Sequence, residues 1–81
     1  MYGYVELDDV VHEMLDGRWI VAHWDERSNQ WRSSNIRQKP FDNYAFTTAN
    51  TLEGLARMGI RTYRSRSGAV KAARKHYCFK D

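Results

Sequence analysis

Apolar and polar positions along this chain change period several times, and each change marks an element. Tyr2 to Val5 suits a strand, after which Leu7, Val10, Val11, Met14 and Leu15 recur at the spacing of one helical face. Asp8 and Asp9 favour the start of that helix by capping and by charge, and Gly17 is placed to end it in the left-handed conformation. Its outer face would be acidic, with Asp9, Glu13 and Asp16 around an exposed His12. Trp19 to Trp24 then has the composition of a strand, Asp25 to Gln30 is a polar turn, and Trp31 opens a second run. The pair predicts a β-hairpin with Trp24 and Trp31 as cross-strand neighbours. Alternation puts Trp19, Val21 and His23 on one face and Ile20, Ala22 and Trp24 on the other, so both faces are fairly apolar.

Ser33 to Asn43 holds the only proline, Pro40, among polar and basic residues that include Arg37 and Lys39, and reads as an exposed connecting loop. Tyr44 to Thr47 resumes a period of two and predicts a third strand. Asn50-Thr-Leu-Glu53 matches a capping box opening a helix with Leu52, Leu55 and Ala56 on its buried stripe. Gly59 stops that helix, and Ile60 is placed to contact Leu55 across a Schellman-type end. Ile60 to Ser65 suits a further short strand. Ser67 then reads as the N-cap of a last helix over Ala69–His76, with Val70, Ala73 and Tyr77 inward and Lys71, Arg74 and Lys75 outward.

The expected architecture is α+β: one small domain over residues 1–81, with a short antiparallel sheet (the hairpin plus one or two further strands) packed with three helices. Val10, Met14, Trp19, Val21, Leu52, Leu55, Ile60 and Val70 are the expected core. A helix, a Gly-Ile stop and a second helix invite comparison with helix-turn-helix DNA readers, but Ile60 to Arg66 is too long and too strand-like for that turn.

Composition adds that the core should be aromatic, because three Trp, five Tyr and three Phe accompany few Leu and Ile. An 81-residue chain buries only about 60–65% of the surface its unfolded state exposes, so its margin of stability is thin. A single cysteine, Cys78, excludes an internal disulfide, and no apolar run reaches the length of a signal peptide core or a membrane span. A cytoplasmic location away from membranes is therefore expected.

Charge changes the picture more than composition does. The net charge is +3, but residues 1–47 carry five basic and eight acidic side chains, whereas residues 48–81 carry eight basic and two acidic ones. Arg64 and Arg66 lead into the last helix, and Lys71, Arg74 and Lys75 line its outer side, so these five are the candidate partner-binding residues. Trp24 and Trp31 are the candidate aromatic anchors. The same polarity also suits the acidic first helix packing beside the basic last one, in this chain or in a second copy, so a homodimer is open.

Motifs for chemistry are scarce. The sequence holds no phosphate-binding glycine loop, paired-cysteine site, nucleophile elbow or His-x-x-x-His helix, so an enzyme is not expected. His76 and Cys78 offer two metal ligands without the other two, so neither a metal nor a cofactor is assigned. In size and composition the chain resembles the small orphan proteins of phages and mobile elements, among them anti-CRISPR and host-takeover inhibitors. That resemblance implies a non-catalytic inhibitor or adaptor docking on a host protein or ribonucleoprotein. The basic surplus does not fit the acidic, DNA-imitating members. The alternative is a regulator that contacts the phosphates of DNA or RNA with its basic C-terminal strand and helix.

Overall fold

In the computed structural model, which describes residues 6–36, 46–77 and 79, a single helical turn α1 (Leu7–Val10) runs directly into strand β1 (Val11–Glu13). The expected helix through Leu15 is not formed. Val11 is already extended (φ −115°, ψ 116°), and Leu15 is 95% exposed. Gly17 does adopt a left-handed φ of +89°, but within a β-hairpin loop rather than at a helix end. The Met14 N–H donates to the Arg18 carbonyl (2.7 Å), the Gly17 N–H donates to the Met14 carbonyl (3.0 Å), and Asp16 accepts from the Arg18 N–H (3.0 Å). A three-residue hairpin loop needs a left-handed residue just as a helix end does, so glycine alone does not distinguish them.

The elements that follow are β2 (Trp19–Val21), β3 (His23–Asp25), β4 (Gln30–Ser33), β5 (Thr47–Ala49), α2 (Leu52–Arg57), β6 (Thr62–Tyr63) and α3 (Arg66–His76). The fold is α+β, with two three-stranded antiparallel sheets, ordered β1-β2-β6 and β3-β4-β5, where one sheet was expected. Trp19 to Trp24 is divided at Ala22, whose N–H donates to the Val10 carbonyl (2.9 Å), and its two halves belong to different sheets.

Pairing explains why this run is apolar on both faces. Val11 lies opposite Val21, and Trp19 opposite Tyr63, on the face that packs with Ala69, Ala72 and Ala73 of α3. Ile20 faces the other way, into a second cluster with Met14, Ala22, Ala49, Leu55 and Ile60. The first sheet is thus the middle layer. Small alanines bring α3 close to it, and Val70 stays half-buried at the margin. Val10, Met14, Val21, Leu55 and Ile60 are buried as expected, whereas Trp19 and Leu52 are half-buried.

Buried polar groups join the sheets. The Ser33 hydroxyl donates to the Val21 carbonyl (2.6 Å) and accepts from the Asn35 N–H (3.2 Å), while the Asn35 amide donates to the Tyr63 hydroxyl (2.9 Å). The expected loop from Ser33 therefore starts as buried structure, and Ile36 bridges to Ile60.

Two helix starts differ from expectation. Thr51, not Asn50, caps α2, with its hydroxyl accepting from the Gly54 N–H (2.9 Å). Ser65, not Ser67, caps α3 by accepting from the Gly68 N–H (3.2 Å), which places Arg66 and Ser67 in the first turn. The end of α2 is as expected: Gly59 has φ +103°, its N–H donates to the Ala56 carbonyl (3.1 Å), and the Ile60 N–H donates to the Leu55 carbonyl (3.1 Å). Between the helices, β6 pairs with β2, so they do not form a helix-turn-helix. The expected Tyr2–Val5 strand, Arg37, Lys39 and Pro40 of the loop, Tyr44 at the start of the third strand, and Cys78 lie outside the described residues.

Candidate functional site

Trp24 and Trp31 face each other across the β3–β4 hairpin, their ring centroids 5.4 Å apart and their planes at 75°. The edge of one ring thereby meets the face of the other, the arrangement favoured by the aromatic quadrupole. Trp31 is anchored, since it packs on the second cluster and meets His12 of β1 edge-on at 4.9 Å. Trp24 keeps 41% of its surface exposed. The hairpin turn is held by the Asp25 carboxylate accepting from the Arg27 N–H (3.0 Å) and by a left-handed Asn29 (φ 58°).

The two rings line a cleft of about 530 Å³ between the second sheet, α1 and the end of α3. Tyr77 closes one side, where its hydroxyl and His23 Nδ1 share a hydrogen bond of 2.8 Å. Burial pushes His23 below the usual 6.5, the nearby Arg32 charge acts in the same direction and Asp25 opposes it, so the imidazole is neutral at pH 7. Burial also pushes the Tyr77 phenol up, keeping it protonated. Among the described residues, the charged side chains lining the cleft are Asp8, Asp9 and Glu26, and no lysine or arginine lines it.

The five basic residues lie elsewhere. Arg64, Arg66, Lys71, Arg74 and Lys75 are all exposed, but none lines the cleft that holds Trp24 and Trp31. Lys71, Arg74 and Lys75 share the outer side of α3, as expected from their spacing. The Arg66 guanidinium is 3.4 Å from the Asp8 carboxylate, and Arg74 lies 5.8 Å from the Phe79 ring centroid. The acidic N-terminal segment therefore does pack beside the basic helix, through one helical turn instead of a long acidic face.

No family model, curated protein or solved structure matches this chain. Its site must be read from its own residues. Asp8, Asp9, His12, His23 and Tyr77 had only structural roles in the sequence and Glu26 only a place in the polar turn, because they lie in three stretches, 8–12, 23–26 and 77, that no spacing rule connects. Among the described residues, no group of three His, Cys, Asp or Glu side chains is placed to hold a metal ion. Among them also, no helix is long and apolar enough to cross a membrane.

Proposed function

We propose that this protein acts by binding, as a non-catalytic inhibitor or adaptor of the phage or mobile-element kind that docks on a host protein or ribonucleoprotein in the cytoplasm. The observation that carries the reading is Trp24, a large aromatic left 41% exposed against a fixed neighbour, Trp31, at the edge of a cleft. Burying a pre-positioned indole removes much apolar area from water at little entropic cost, which is why Trp dominates protein interfaces. The outer side of α3 would then steer association with an acidic patch of the same partner.

The test is capture from host lysate. Trp24→Ala should abolish retention of the partner, and Arg74→Glu with Lys75→Glu should slow its association, both with the fold intact. Unchanged capture by all these variants would refute the reading.

A second reading, a nucleic-acid-binding regulator, is favoured by the exposure of Arg64, Arg66, Lys71, Arg74 and Lys75 on one strand-to-helix segment. About five phosphate contacts would give a slope near −4 to −5 in log K against log salt on duplex DNA. Fluorescence anisotropy with random DNA and RNA at two salt concentrations tests it, and no binding at low salt removes it.

A further inference from the structure

We infer that the cleft at Trp24 and Trp31 is a receptor for an arginine side chain presented by a partner protein. The inference rests on the docking function proposed above and specifies the chemistry of its contact. The chain carries a net charge of +3, yet among the described residues the charged side chains lining this cleft are all carboxylates. Asp8 shares its charge with Arg66 at 3.4 Å, whereas among the described residues neither Asp9 nor Glu26 takes part in an ion pair. Both histidines of the cleft belong to its walls: His12 and Trp31 pack in a T-shaped arrangement, and His23, hydrogen-bonded to Tyr77, is held below its usual pKa by burial.

Aromatic walls and carboxylates together select a cation over an anion or a neutral group. The π faces of indole and phenol attract positive charge, and the carboxylates concentrate it at the mouth. A guanidinium suits these walls better than an ammonium ion does. It is planar, so it stacks on an indole face while its N–H fork reaches a carboxylate, and it sheds water more readily than an ammonium group. Arg32 already lies 3.8 Å from the Phe46 ring centroid on this same sheet, an internal instance of that stacking. A volume of about 530 Å³ admits an arginine side chain together with the backbone that carries it.

The probe is the capped peptide acetyl-Gly-Arg-Gly-amide, titrated into the full chain while the indole N–H resonances of Trp24 and Trp31 are followed by NMR. Saturable shifts of both are expected at millimolar peptide or below. The citrulline peptide, the same size without the charge, should be silent, and the lysine peptide should bind more weakly. Glu26→Gln with Asp9→Asn should weaken the arginine peptide about tenfold, with the remaining amide spectrum unchanged to show that the fold persists. Equal binding of the citrulline peptide, or no saturable shift at either indole, overturns the inference. So does a dimer lost on Glu26→Gln and on Lys71→Glu alike, which assigns the cleft to the basic helix of a second copy. A silent cleft with Trp24-dependent capture from lysate would overturn this inference alone and leave the docking function standing.

Discussion

Leu15 and Leu55 show how differently one residue type is used within this chain. Both fall on an apolar stripe in the sequence, yet Leu15 is 95% exposed at a hairpin tip and Leu55 is fully buried. Leu55→Ala should destabilise the protein by about 2–5 kcal/mol, because it removes buried methyl groups and leaves a cavity. Leu15→Ser should stay within about 0.5 kcal/mol, as surface changes do. Urea unfolding of the two variants checks both, and a large loss at Leu15 would restore the longer helix. His23 carries a pH dependence of definite sign. Its folded value lies below 6.5, so the unfolded chain binds more protons between the two values. Its contribution to stability is complete above pH 6.5 and is lost as pH falls below that value. Unfolding at a series of pH values, compared with His23→Gln, should show a shallower acid-side decline in the variant.

At the scale of elements, caps decide where helices begin. Ser65 and Ser67 stand two residues apart, and both precede a run of good helix formers. The structure places the left edge of α3 at Ser65, where an extended backbone (φ −134°, ψ 156°) aims the hydroxyl at the Gly68 N–H. Ser65→Ala should therefore cost about 1 kcal/mol, and Ser67→Ala clearly less, in thermal or urea unfolding. The reverse order would move the helix start to Ser67. The end of α2 needed no such choice. Gly59 and Ile60 meet Leu55 and Ala56 through two hydrogen bonds of 3.1 Å, and each residue type suits its place.

For the whole molecule, the important joint is between the two sheets. Ser33 and Asn35 are buried, and their hydrogen bonds reach Val21 of the first sheet, Tyr63 of β6 and, through the Asn35 carbonyl, the Arg61 N–H at 2.9 Å. Ser33→Ala leaves the Val21 carbonyl and the Asn35 N–H unpaired in the interior, which should cost about 1–3 kcal/mol. Hydrogen exchange should then quicken at Asn35 and Arg61 together, since both amides depend on this joint. Exchange confined to residue 35 would show that the sheets are held chiefly by the apolar cluster around Ile20 and Leu55. The same joint matters for the site, because the cleft lies where α1, the second sheet and the end of α3 converge.

Local physics was enough to determine several features from sequence. The Trp24–Trp31 hairpin follows from two apolar runs around a polar turn, the end of α2 from Gly59-Ile60, and the outward side of α3 from the spacing of Lys71, Arg74 and Lys75. Each depends on neighbours within a few residues. Tertiary structure decided what those neighbours leave degenerate. Val10, Val11 and Met14 are buried on a helical turn, a strand and a loop, because an apolar triplet satisfies either period until a partner strand at Trp19–Val21 selects one. Trp19 to Trp24 divides between two sheets, and only the assembled layers make both faces of its first half, Trp19 to Ala22, interior. The acidic, aromatic cleft was decided in the same way. Its residues lie up to 69 positions apart, from Asp8 to Tyr77, and long-range packing alone brings them to one surface.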